Sequence, residues 1–183
     1  PGVWVIASGK GGVGKSTLAV LLASESAARG IPTLLFDGVQ NEGNLHVLLG
    51  SNPARRLAEV WRGEISPAEL LTEVREHLWL LPAPPQESLS DHLAPIERAR
   101  LHHRLTATFD DFGAVFVDAG PGRSGALRAA ALRATGLAVV ATPEPASLSD
   151  AYAMLKIARL QSPHLEEGLI VNRAEDPAEA AEV

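Results

Sequence analysis

Gly9-Lys10-Gly11-Gly12-Val13-Gly14-Lys15-Ser16-Thr17 is the most informative stretch of the 183-residue chain. It satisfies G-x-x-x-x-G-K-[ST], with Gly9, Gly14, Lys15 and Ser16 at the defined places. Val3–Ala7 before it is a short apolar, β-branched run that predicts a buried strand. Lys15–Arg29 after it predicts a helix, stopped by Gly30 and Pro32. A glycine-rich turn between strand and helix lets backbone N–H groups converge on phosphate oxygens with no side chain in the way. The helix N-terminus adds favourable dipole charge. Lys15 is expected to reach the β- and γ-phosphates of a nucleotide, and the Ser16 hydroxyl to hold Mg²⁺. Gly11, Gly12, Val13, Gly14, Lys15, Ser16 and Thr17 are thus the candidate binding residues.

Outward from this loop, strand and helix signals alternate. Thr33–Phe36 predicts a strand ending at Asp37, and 38–44 a loop. Leu45–Leu49, Arg56–Trp61 and Pro67–Leu71 predict short helices separated by glycine and proline. Leu78–Leu81 is a third strand, Pro82–Gln86 a loop, and Pro95–Phe109 a helix. Ala114–Val117, the most strand-like run, ends at Asp118. A helix at Ser124–Thr135, a strand at Leu137–Ala141, a helix at Ser147–Leu160 and a strand at Leu169–Val171 complete the series. Ser147 with Asp150 three residues on resembles a capping box. Continuous apolar strands between helices predict a doubly wound α/β domain, its mostly parallel sheet covered by helices on both faces. With no repeat or linker evident, residues 1–183 are expected to form one domain. The chain opens at Pro1 without Met, and Asp176–Val183 begins an acidic helix and stops; the expectation is a trimmed start and a shortened C-terminal end.

Composition narrows the chemistry. Hydrophobic residues are 46% of the chain and charged residues 21%, as in a folded globular protein. With no cysteine, disulfides and thiolate metal sites are excluded. Net charge is −6 and two of the three lysines sit in the phosphate loop, which argues against a sequence-independent nucleic-acid binder. No apolar run approaches the roughly 20 residues that span a bilayer. A cytoplasmic chain is expected. The basic stretch Arg98, Arg100, His102, His103, Arg104 is expected to be a solvated face, and Tyr152, Met154 and Leu155 to be helix packing.

An ordinary phosphate loop does not require a lysine at position 10. Gly-Lys-Gly-Gly-Val-Gly-Lys-Ser-Thr resembles the deviant Walker A motif of MinD/ParA ATPases. The resemblance implies bound ATP or ADP with Mg²⁺, and a homodimer in which Lys10 crosses to the partner's nucleotide. Asp118, followed by Ala119-Gly120-Pro121-Gly122, looks like the Walker B aspartate and second switch loop. Asp118 would then join Ser16 at the metal, with Gly120 or Gly122 offering a backbone N–H to the γ-phosphate. Asp37 and Asn44 match the first switch, but Val39 stands where the family has the aspartate that positions the attacking water. Valine accepts no hydrogen bond, so hydrolysis is expected to be slow or absent unless Glu42, Gln40 or Asn41 substitutes. Lys10, Lys15 and Asp37 are the candidate catalytic residues.

Thr142-Pro143-Glu144-Pro145-Ala146-Ser147-Leu148-Ser149-Asp150-Ala151-Tyr152 closely resembles a segment of the MinD-like flagellar-number regulators FlhG/FleN. Val171-Asn172-Arg173 looks like the family's V-N-R, which implies that Asn172 meets the adenine base and places Arg173 beside it. That branch implies a role in the placement or number of a structure such as flagella, with an unidentified protein partner. An active ATPase of DNA partition or division-site placement is the alternative. The family's membrane-binding C-terminal amphipathic helix is not evident, so association with the inner membrane would depend on residues beyond this chain.

Overall fold

The computed structural model describes residues 1–38, 44–55, 57–82, 94–121, 134–176, 178 and 180. Among them seven strands hydrogen-bond in the order β3-β4-β2-β5-β1-β6-β7. β1 is Gly2–Ser8, β2 Thr33–Gly38, β3 Thr72–Arg75, β4 Leu78–Leu81, β5 Ala114–Pro121, β6 Gly136–Ala141 and β7 Glu166–Val171. The helices are α1 Lys15–Ala28, α2 Leu45–Leu48, α3 Leu57–Arg62, α4 Pro67–Leu70, α5 Pro95–Thr106 and α6 Pro145–Gln161. A 3₁₀ turn, Ala107–Asp111, follows α5 where a continuous helix to Phe109 was expected. The chain divides into two compact units: Gly2–Ala19 with Val117–Val183, and Pro1 with Val20–Phe116.

In the first of these, β1 runs parallel to β6, with Trp4 opposite Gly136 and Ser8 opposite Val140. β6 runs parallel to β7, from Gly136 opposite Glu166 to Ala141 opposite Val171. All six β6 residues are buried, so both faces of that strand are covered, as the unbroken apolar run Leu137–Ala141 predicts. Thr135 locks the start of this pairing. Its Oγ1 accepts from the Val3 N–H at 2.9 Å, and its own N–H donates to the Val3 carbonyl at 2.8 Å. Gly136 is required by close approach: a Cβ there would lie 2.6 Å from the Trp4 ring.

α6 starts at Pro145, two residues before the expected position, because a proline's fixed φ and missing N–H suit the first helical turn. The expected capping box at Ser147 and Asp150 does not form. Ser147 lies inside the helix, and its Oγ accepts from the Thr142 N–H at 3.0 Å. Ser147, Ala151, Met154 and Ala158 form the buried face of α6. Tyr152, expected to pack, is exposed.

In the other unit, β2 pairs parallel with β4, from Thr33 opposite Leu78 to Phe36 opposite Leu81. β3 pairs antiparallel with β4 and had no clear sequence signal. Thr72-Glu73-Val74-Arg75 is half-exposed along its length, so a single apolar residue suffices and the alternation is faint. Gly30, at φ 76°, ends α1 in a Schellman turn: Ile31 N–H reaches the Ser26 carbonyl at 3.4 Å and Gly30 N–H the Ala27 carbonyl at 2.9 Å. Edge-on ring pairs join half-buried Phe36 to buried Phe109 and half-buried Trp79 to buried Phe112 in this unit. Arg100, His103 and Arg104 are exposed, as expected of a solvated face, although Arg104 Nη1 also donates to the Val60 carbonyl at 3.0 Å.

β5 and β7 are longer than predicted. β5 continues past Asp118 to Pro121, so Asp118 lies within the strand. β7 begins at Glu166, where two glutamates and a glycine mask the strand signal; Glu167 accepts from the Arg159 guanidinium at 2.5 and 3.1 Å. The predicted helix Ser124–Thr135 falls outside the described residues except for Ala134 and Thr135, which are not helical.

Gly136→Ala is expected to lower the stability of the folded protein by about 1–3 kcal/mol through overpacking against Trp4. Urea denaturation followed by tryptophan fluorescence checks this; an unchanged midpoint would show that Trp4 yields without cost.

Candidate functional site

The C-terminal ends of β1 and β5, the loop Gly9–Gly14 and the first turn of α1 bring the phosphate-loop residues together within one compact unit. β1 delivers the chain into the loop at Ser8, which is fully buried and whose Oγ donates to the Lys10 carbonyl at 2.9 Å. Gly12 and Gly14 have φ of 78° and 92°, a region closed to most L-residues. Among the described residues no atom lies within 4 Å of a Cβ built on Gly11 or Gly12, and both glycines are exposed. Two other glycines are set by close approach. A Cβ on Gly9 would overlap Asp150 of α6 at 2.2 Å, and one on Gly14 would lie 2.4 Å from Asn172 Nδ2. Asn172 ties the loop down by donating from Nδ2 to the Val13 carbonyl at 2.8 Å, while the Val13 side chain is buried beneath.

Lys15 opens α1 and is 8% exposed; Asp118 on β5 is 1% exposed. Lys15 Nζ and Asp118 Oδ1 form a direct ion pair, with Ser16 Oγ at 3.5 Å from the same ammonium. Desolvating both charges costs several kcal/mol per ion, which their attraction offsets only while each keeps its partner. Ser16 is half-buried beside the pair and Thr17 is exposed.

Lys10 makes a second ion pair, with Glu144 Oε2, 134 residues along the chain. The Glu144 carboxyl is held below the usual carboxylate range, first by the hydrogen bond from Lys10, then by the Lys10 charge, with Arg173 adding a smaller pull. Arg173 has φ 63°, a left-handed conformation uncommon for a residue other than glycine. At the end of β6, Thr142 is 5% exposed and its Oγ1 has no hydrogen-bond partner among the described residues.

Residues 4–182 match the family described as the CobQ/CobB/MinD/ParA nucleotide binding domain, CbiA. The chain belongs to that family. It is 29% identical over 177 residues to the antiactivator FleN of Pseudomonas aeruginosa, covering 97% of this chain and 63% of that protein. It is 30% identical over 175 residues to the flagellum site-determining protein YlxH of Helicobacter pylori, covering 95% of this chain and 58% of that protein. It superposes on a structure of the MinC:MinD cell division protein complex of Aquifex aeolicus with a TM-score of 0.76 at 26% identity, over 96% of this chain and 70% of that one. The chain thus spans less than two thirds of the length of these two curated relatives.

Lys10, Lys15, Ser16, Asp118 and Asn172 lie around one glycine loop. Asp37 belongs to the other unit. It is 1% exposed, and its Oδ2 accepts from the Leu45 N–H at 3.2 Å, anchoring the start of α2. Gly122 and the first-switch residues Val39, Gln40, Asn41 and Glu42 lie outside the described residues. Glu144, a loop residue between two prolines, meets Lys10, and Asp150 lies against Gly9 and not in a capping box with Ser147. The segment Thr142–Lys156 carries both residues but does not say that one meets Lys10 and the other Gly9.

The donor set fits a phosphate-held magnesium ion. Among the described residues no group of three or more His, Cys, Asp or Glu side chains could cage a metal. A hydroxyl and one carboxylate suit Mg²⁺, which keeps several waters and draws on substrate phosphates.

Lys15→Met is expected to strand the buried Asp118 carboxylate and to destabilise the nucleotide-free protein by about 3 kcal/mol or more. Urea denaturation measures it, and recovery of most of that loss in a Lys15→Met/Asp118→Leu double variant would assign the cost to the stranded charge. A loss under about 0.5 kcal/mol in the single variant would contradict a charge-paired core.

Proposed function

We propose that the chain is an ATP- and Mg²⁺-binding switch domain of the MinD-like kind, which dimerises on ATP and acts in placing or counting a cellular structure such as flagella. The observation that carries the reading is the glycine loop whose two lysines each hold an acid from a distant part of the chain: Lys15 with Asp118, Lys10 with Glu144. The names of FleN and YlxH, an antiactivator and a flagellum site-determining protein, favour the flagellar branch.

In this reading Gly11, Gly12, Val13 and Gly14 turn backbone N–H groups toward phosphate oxygens, and the start of α1 adds its dipole. Lys15 exchanges Asp118 for the β- and γ-phosphates. With Lys15 on the phosphates, the Asp118 carboxylate and the Ser16 hydroxyl would be the groups that hold the metal. The magnesium ion, when bound, would neutralise phosphate charge. Gly122 and Arg173 complete the assigned nucleotide contacts, with Asn172 near the base. Lys10 serves the partner's nucleotide in a homodimer, and a further protein partner reads the dimer. The domain acts in the cytoplasm; among the described residues no helix is long and apolar enough to cross a membrane. Asp37 keeps the first switch attached at α2, and Val39 withholds the carboxylate that would orient water, so turnover is slow or absent.

Single-turnover ATP hydrolysis by the wild-type chain, run beside Val39→Asp with light scattering in parallel, tests this. The expected result is ATP-dependent dimerisation with little turnover in wild type, and a gain on the order of 100-fold in Val39→Asp. Wild-type turnover that Val39→Asp does not raise would favour an active, cycling ATPase of the partition or division-site kind.

A further inference from the structure

The Glu144 carbonyl accepts from the Leu148 N–H at 3.1 Å, but the Glu144 side chain does not cap the helix it begins. Glu144 is the N-cap residue of α6, held between Pro143 and Pro145 with φ −61° and ψ 131°. A polar side chain at that position ordinarily accepts a hydrogen bond from the first helical turn. Glu144 makes no such bond. Its carboxylate is turned instead to Lys10 Nζ, with Arg173 as a second nearby cation. The β1–β6 register explains the meeting. Ser8, the last residue of β1, is opposite Val140 near the end of β6, so the loop that carries Lys10 and the Pro-Glu-Pro corner that carries Glu144 leave the same end of the two strands.

The pair differs in kind from the Lys15–Asp118 pair. Glu144 and Lys10 keep 66% and 37% of their side-chain surface exposed, so water competes for both and the contact is easily exchanged. Lys15 and Asp118 are sealed.

We infer that Glu144 is a positioning residue for Lys10: in the nucleotide-free monomer it holds the ammonium over its own loop, and it must let go before Lys10 can reach the nucleotide of a partner. This rests on the proposed ATP-driven dimer that uses Lys10. Glu144 then sets the ATP concentration at which the dimer forms, because every dimerisation event first breaks two such contacts, one per protomer. Arg173, drawn to the same carboxylate, is released with it.

The test follows the dimer by light scattering across an ATP series with Mg²⁺, for wild type, Glu144→Gln, Lys10→Ala and the double variant. Glu144→Gln keeps the shape and removes the charge. It is expected to lower the ATP concentration for half-maximal dimerisation by about 3-fold or more, a modest shift suited to an exposed pair. Lys10→Ala is expected to lose the dimer, and the double variant to behave as Lys10→Ala does. An unchanged or higher midpoint in Glu144→Gln would overturn the inference, the latter showing that Glu144 supports the dimer. A separate readout uses the nucleotide-free protein. Carboxyl carbon NMR should show the Glu144 titration, depressed by Lys10 in wild type, moving up toward the ordinary carboxylate range in Lys10→Ala. The contact is complete above the ordinary range and is lost as pH falls through the depressed value. A Glu144 titration identical in wild type and Lys10→Ala would also overturn it. A wild type that never dimerises with ATP while the NMR shift is present would instead overturn the proposed function.

Discussion

The ion pair between Lys15 and Asp118 is the interaction on which the rest of the site depends. Two opposite charges have been taken almost wholly out of water, one on the first residue of α1 and one inside β5. Such a pair is weak evidence of stability, because a well-packed apolar pair in its place would often do as well or better. Its value is that each member is compelled to have a partner. In the proposed function, an anion entering the glycine loop gives Lys15 a second partner and leaves Asp118 to receive a cation, so that this one buried contact would couple the two binding events.

Backbone approach supplies the shape around that contact. Gly9 admits Asp150 of α6, and Gly14 admits the Asn172 amide, so the loop is held from two sides by segments more than 100 residues away. Gly11 and Gly12, with no described residue's atom near a Cβ built on them, are the exposed part of the loop. The motif's glycines thus divide into two kinds: those that let the protein come close, and those that leave space for a ligand. The parallel pairing of β1 with β6 and of β6 with β7 brings Asp150 and Asn172 to the same end of the strands as the loop, where open α/β sheets bind their ligands.

Much of this was legible in the sequence because the signals were local. The loop, the strand before it, the helix after it and the Gly30 stop all follow from short-range chemistry. Buried strands such as β6 announce themselves as unbroken apolar runs. β3 did not, since an edge strand with two exposed positions in four needs little hydrophobicity. The start of α6 was misplaced because Ser147 has the composition of a cap but spends its hydroxyl on Thr142, a tertiary demand no local pattern shows. Pairings across long separations, Lys10 with Glu144 and Gly9 with Asp150, were likewise beyond a local reading. They depend on the β1–β6 register, which the two strand sequences do not specify. Membership of the CobQ/CobB/MinD/ParA nucleotide-binding domain family was legible in the loop, and the resemblance to the flagellar regulators in one segment, Thr142–Lys156.

The most direct test of the account is a crystal structure of the chain with Mg²⁺ and a non-hydrolysable ATP analogue. The expected result is Lys15 Nζ on the phosphates and no longer on Asp118, with Ser16 Oγ and Asp118 at the metal. An analogue seated in the loop while the Lys15–Asp118 pair stays intact would contradict it.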